Sequence, residues 1–208
     1  MTEIESYYKY GRKEIDWLKS RDPVLGAEMD RMGKIRRKVN PDLFSSLVNS
    51  IVGQQISTKA QATVWNRMKE RFVPLAPDRI GSASIEELQS CGISMRKAEY
   101  IKGIAVAVLD GSLDLPGLSK LPDDEVCKEL VRIKGIGIWT AEMLMIFSMH
   151  RKDILSWGDL GIQRGLKILY KQPEITREFF NKAKERYSPY ASTASLYLWA
   201  ISSEARNE

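Results

Sequence analysis

Two cysteines and one histidine are the chain's whole supply of the side chains most used to bind transition metals. Cys91 and Cys127 cannot by themselves hold a four-thiolate zinc site or an iron–sulfur cluster, and a lone His150 cannot complete a conventional zinc centre. No metal site is expected. The two thiols could pair in principle, but such sparse use fits a reducing, intracellular compartment, the cytoplasm. No run of about 18 apolar residues occurs, so no membrane span is expected. The opening MTEIESYYKYGRKEIDWL is polar and mixed in charge, without the apolar core of a signal peptide. Low-complexity tracts, clear repeats and alternating strand patterns are missing or scarce.

Charge and helical periodicity are what the chain does have. Lys and Arg number 32 against 27 Asp and Glu, a formal +5 that permits an anionic partner without requiring one. Apolar residues recur three and four apart, as in Leu43, Leu47, Val48, Ile51 and in Ala60, Val64, Met68, Phe72. Ser84 and Glu87 match a capping box, Gly92 a terminator, and Ser94 a cap for a helix whose Ala98, Ile101, Ala105 and Val108 share one face before Gly111. Pro122 suits a first helical turn, and further helices fit 173–187 and 189–204. Residues 73–82 and 111–121 read as connections. The expectation is an all-α domain of about ten helices.

The most informative stretch is LVRIKGIGIWTAE, residues 130–142. One helical pattern enters it, Gly135 and Gly137 follow one residue apart, and another helical pattern leaves. Such a turn exposes amide N–H groups at a helix start, where a phosphate oxygen is favoured by both hydrogen bonding and the helix dipole. Lys134 would add charge, Thr140 a hydroxyl, and Ile133, Ile136 and Ile138 the apolar pegs. Arg96 and Lys97 could reach a second phosphate or simply be surface charge. Asp159 lies 22 residues beyond Gly137 in LSWGDLGIQRG, ahead of a pattern through Ile162, Leu166 and Leu169. Its carboxylate can be read as a helix cap or as a catalytic anion. Asp153, in an Arg-Lys-Asp cluster, is the rival.

These segments, with SIVGQQIS at residues 50–57, resemble the helix-hairpin-helix/Gly-Pro-Asp DNA glycosylase superfamily, and within it the bacterial DNA-3-methyladenine glycosylase II branch. The resemblance covers about residues 20–205. It implies a two-lobed all-α fold, one domain over 1–208, with a central lobe near 43–150 and a second lobe from 1–42 and 151–208. Only about forty residues precede the first core motif, so the N-terminal β-rich domain of larger relatives is not expected.

The resemblance also implies roles. Asp159 would be the catalytic carboxylate. Trp139, Trp199 and Met143 would line the pocket for a flipped base, and Gln55 or Gln54 would fill the gap in the duplex. Lys134, Gly135, Gly137 and Thr140 would hold a phosphate. Bifunctional relatives carry a Schiff-base lysine two residues past the second hairpin glycine. Trp139 stands there, and neither Lys134 nor Lys167 substitutes, so base excision without strand cleavage is expected. No terminal four-cysteine cluster is present, so no iron–sulfur cofactor is expected; a hairpin-bound monovalent cation is left open. The expected partner is duplex DNA containing a damaged base, met by a monomer in the cytoplasm near the nucleoid. Alkylated purines lead as substrates, with hypoxanthine in addition. The alternatives are a monofunctional enzyme for 8-oxoguanine or a mismatched pyrimidine, and a noncatalytic DNA-binding module.

Overall fold

A computed structural model describes residues 6–205. Among the described residues it has twelve α-helices, one 3-10 turn and a single two-stranded antiparallel ribbon. No helix among them is long and apolar enough to cross a membrane. The chain divides into two compact units, one built from the chain before Asn40 and after Leu144, the other from Asn40 to Leu144.

In the first unit, β1 (Ser6–Tyr7) pairs with β2 (Lys38–Val39), Tyr7 opposite Lys38, around α1 (Arg12–Arg21) and α2 (Pro23–Met32). After residue 144 come α10 (Leu160–Leu169), α11 (Arg177–Tyr187) and α12 (Ala191–Glu204). Helix α12 is the core element, buried continuously from Ala191 to Leu198. It packs on α10 because Gly165 leaves room: a Cβ there would lie 2.3 Å from the Leu198 carbonyl oxygen. Asp22 starts α2 by accepting the Leu25 amide at 3.0 Å, and it also takes Arg186 at 2.8 Å and the Tyr170 hydroxyl. Burial alone would raise this carboxyl's pKa, but the Tyr170, Leu25 and Arg186 donors outweigh burial and hold it below the usual value.

The second unit contains α3 (Leu43–Gly53), α4 (Thr58–Arg71), α5 (Pro77–Ser82), α6 (Ile85–Gln89), α7 (Met95–Leu109), the 3-10 turn Gly117–Lys120 and α8 (Asp123–Val131). Helix α9 (Ile138–Phe147) begins here and ends in the first unit. Leu47, Val48, Ile51, Met68, Leu88, Ile101 and Leu130 form its apolar interior, each fully buried. Caps decide the helix starts: Asp42, Ser57, Ser84 and Ser94 each accept an amide from the following turn, and Ser84–Glu87 is a reciprocal box. Each such cap stabilises by about 1 kcal/mol.

Several boundaries differ from expectation. Residues 77–82, expected as connection, form α5 with Pro77 in its first turn. Pro122 stands one residue before α8, at the cap. Helix α11 starts at Arg177 rather than 173 because the Thr176 hydroxyl accepts the Phe179 amide at 3.2 Å. Helix α12 starts at Ala191 rather than 189, where Asp153 accepts the Ala191 amide at 3.2 Å.

Candidate functional site

Asp159 is the N-cap of α10 in the first unit, only 7% exposed. Its Oδ1 accepts two N–H groups, from the Ile162 backbone at 2.9 Å and from the Trp199 indole at 3.0 Å. The backbone donor comes with the helix start; the indole arrives from α12, forty residues away. Gly161 permits that approach, since a Cβ there would sit 2.9 Å from the Trp199 ring and 3.0 Å from Asp159 Oδ1. The far side of Trp199 is backed by Phe147, ring centroids 5.5 Å apart and tilted 33°. Two N–H donors on one carboxylate oxygen fix its direction. Nothing in the sequence pattern signalled Gly161, Gly165 or Phe147 as parts of this arrangement.

The loop that delivers Asp159 is tied to α12 throughout. Ser192 Oγ donates to the Arg151 carbonyl at 2.7 Å and accepts the Ile154 amide at 2.9 Å, and Ser195 Oγ donates to the Ile154 carbonyl at 3.2 Å. Asp153, the rival carboxylate, is spent on structure: it accepts the Ser188 hydroxyl at 2.6 Å and the Ala191 amide. Trp157 packs edge-on to Phe180 at 5.1 Å beneath Arg177, and Gln163 donates to its carbonyl at 2.5 Å, closing the turn.

The hairpin belongs to the second unit. Gly135 has φ +90°, a region closed to most side chains, and an added Cβ would lie 2.5 Å from the Tyr100 ring and 2.9 Å from Ile51. Ala141 N–H bonds the Gly137 carbonyl at 2.9 Å, so the amides of Ile138, Trp139 and Thr140 precede the first intrahelical bond of α9. Lys134 and Gly137 are exposed, Trp139 is 49% exposed, and Thr140 and Met143 are half-buried. The carbonyls of Ile133, Gly135 and Gly137 already accept Ile136 N–H, the Gln54 amide and Ala141 N–H. Among the described residues no cluster of three His, Cys, Asp or Glu could hold a metal ion.

The turn between α3 and α4 is locked to the hairpin. Gln54 Nε2 donates to the Gly135 carbonyl at 2.7 Å, which leaves Gln55, at φ +57°, as the exposed glutamine. Lys97, read from the sequence as either a phosphate contact or surface charge, is neither in the structure. Its ammonium turns inward to the Val52 and Gln54 carbonyls at 2.8 and 2.6 Å, serving the C-terminal end of α3. Burial there lowers its pKa, helped by the neighbouring Arg96 charge.

The first unit thus holds a buried, N–H-held aspartate at a helix start, and the second a glycine hairpin opening another helix. The chain belongs to the HhH-GPD superfamily of base excision DNA repair proteins, whose profile matches residues 48–189. Over 166 residues it is 34% identical to DNA-3-methyladenine glycosylase 1 of Schizosaccharomyces pombe, covering 76% of this chain and 72% of that protein. The crystal structure of DNA-3-methyladenine glycosidase from Bacillus halodurans matches with a TM-score of 0.88 at 35% identity, over 98% of this chain and 95% of the other. The S. pombe 3-methyladenine DNA glycosylase Mag1, solved in complex with abasic DNA, matches at 0.74 and 29% identity, over 90% of this chain and 95% of that one.

Proposed function

We propose that Asp159 is the carboxylate with which this chain hydrolyses the N-glycosidic bond of alkylated purines in duplex DNA. The chain is a base-excision-repair DNA glycosylase of the 3-methyladenine type, a monofunctional hydrolase. The observation that carries the assignment of Asp159 is its pair of N–H donors, from Ile162 and Trp199. As the base departs, positive charge grows on the sugar, and a fixed anion beside the anomeric carbon stabilises it. The same carboxylate can orient or deprotonate the attacking water. Donors already in place mean the anion needs no reorganisation as the charge develops.

Alkylation does part of the work, since a cationic purine is a good leaving group and is drawn to aromatic faces by about 0.5–2 kcal/mol each. Trp139 and Trp199 supply such faces, with Met143 as a soft apolar neighbour. Gln55 fills the gap left by the extruded nucleotide, and its amide can pair with the orphaned base. Lys134, Gly135, Gly137 and Thr140 hold a backbone phosphate, which positions the duplex without reading sequence. The residue two past the second hairpin glycine is Trp139, which has no amine to form a Schiff base. The test is a panel of single-lesion duplexes, with the released base identified directly and borohydride added to a parallel set. Free N3- or N7-methylpurine with no trapped adduct supports the reading; no base released from any duplex refutes it.

A further inference from the structure

Outside these residues, the first unit carries a concentrated patch of positive charge. Residues 34–38 read Lys-Ile-Arg-Arg-Lys, four cations in five positions, all four exposed. Some cations elsewhere are paired with carboxylates, as in Lys19–Asp30, Arg31–Glu28, Arg132–Glu129 and Lys182–Glu178. Among the described residues, Lys34, Arg36 and Arg37 have no carboxylate within ion-pair distance, and each lies instead on an aromatic ring. Arg36 sits 4.2 Å from the Tyr7 centroid, Lys34 5.5 Å from Tyr10 and Arg37 5.4 Å from Phe147. A guanidinium or ammonium resting on a ring keeps its charge and most of its N–H edge outward, with less side-chain freedom left to lose.

The backbone beneath is fixed. Tyr8 N–H bonds the Arg37 carbonyl at 2.9 Å. Tyr10 Oη accepts the Ile35 amide at 2.8 Å and lies 2.9 Å from its carbonyl, and Tyr197 of α12 donates to the Gly33 carbonyl at 3.0 Å. Beside the ribbon, Lys34 and Arg36 border an open groove of about 720 Å3 with Lys9, Tyr7 and the Lys152–Glu14 ion pair. Arg37 rests on Phe147, Phe147 on Trp199, and Trp199 donates to Asp159. The patch is thus two ring contacts from the candidate catalytic carboxylate, within one unit.

We propose that residues 34–38, stiffened by Tyr7, Tyr10 and Phe147, form a second binding surface for the phosphate backbone of duplex DNA, separate from the hairpin. The partner is a polyanion because Lys34, Arg36 and Arg37 present their charges from fixed positions on three rings. It is the duplex because the row of rings places those cations beside the group that must meet the lesion. This rests on the DNA glycosylase reading above.

The experiment measures binding of an undamaged duplex oligonucleotide between 50 and 200 mM salt. It compares wild type with the triple variant Lys34→Gln, Arg36→Gln, Arg37→Gln, and with a control triple losing the same charge at Arg79, Lys120 and Lys184. Each phosphate contact contributes about 0.9 to the slope of log Kd against log salt. The patch variant should lose roughly two to three from that slope, and the control markedly less. Single Arg36→Gln and Lys34→Gln variants, each lifting one cation from one ring, should each lose about 0.9 and cover the case in which the triple unfolds. Equal slopes for wild type and patch variants, or an equal loss in the control, overturn the proposal. Base release by wild type is scored separately: a patch-dependent salt slope with no base release would sink the enzymatic reading and leave the surface standing.

Discussion

Replacing Trp199 by Phe keeps an aromatic ring beside Phe147 but removes part of the bicycle and, with it, the 3.0 Å bond from indole Nε1 to Asp159 Oδ1. A hydrogen bond to a charged group stabilises by roughly 1.5–3 kcal/mol, and each 1.4 kcal/mol is tenfold in rate. If the bond aims the carboxylate at the reacting sugar, Trp199→Phe should slow base release about 10- to 100-fold. Folding should suffer far less, because Asp159 keeps the Ile162 amide at 2.9 Å. A loss of about 1 kcal/mol would lower Tm by roughly 2–4 °C for a chain of this size. The assay is single-turnover release of an alkylated purine, fitted for maximal rate and half-saturating enzyme concentration. Positioning predicts that the maximal rate falls while half-saturation moves little. A full maximal rate in Trp199→Phe, or a defect confined to half-saturation, would refute the role assigned to the indole.

Other perturbations probe the frame. Gly165→Ala should destabilise by several kcal/mol, since the new methyl meets backbone at Leu198, which cannot rotate away; thermal unfolding reads this directly, and an unchanged Tm would contradict the α10–α12 packing. Gly135→Ala should weaken DNA binding as well as stability, because its φ of +90° and the Tyr100 and Ile51 contacts both resist a side chain; comparing duplex affinity with Tm separates the two effects. Asp22→Asn leaves Arg186 and Tyr170 facing a neutral amide and should cost about 3 kcal/mol near neutral pH. The carboxyl's pKa is lowered on folding, so its stabilisation is complete above the ordinary aspartate value near 4 and fades as pH falls through the folded value. The gap between wild type and Asp22→Asn in denaturant melts should therefore narrow in acid; a gap that widens would contradict the sign.

What was legible in the sequence was local. Ser84 with Glu87, Ser94, Gly92 and Gly111 announce helix ends through bonds three or four residues long, and the structure has those ends. Asp159 at a helix start is of the same kind. The two-residue strands β1 and β2 are too short for any alternation to register, and Pro77 reads as a breaker although proline opens helices just as well. The contacts that give Asp159 its character were not legible. Trp199 reaches it across forty residues, through space that Gly161 and Gly165 leave between α10 and α12, and no periodicity encodes that meeting. Lys97 misleads for the opposite reason: a lysine at a helix start looks like surface charge, yet its long stem carries the ammonium to two buried-end carbonyls of α3.

The most direct measurement is base release by Asp159→Asn on an alkylated duplex, with binding of the same duplex followed in parallel. The amide keeps an oxygen to accept the Ile162 and Trp199 N–H groups but carries no charge to set against the developing cation. Binding retained or tightened, with release slowed by several orders of magnitude, is the predicted result. Release near the wild-type rate would contradict the account.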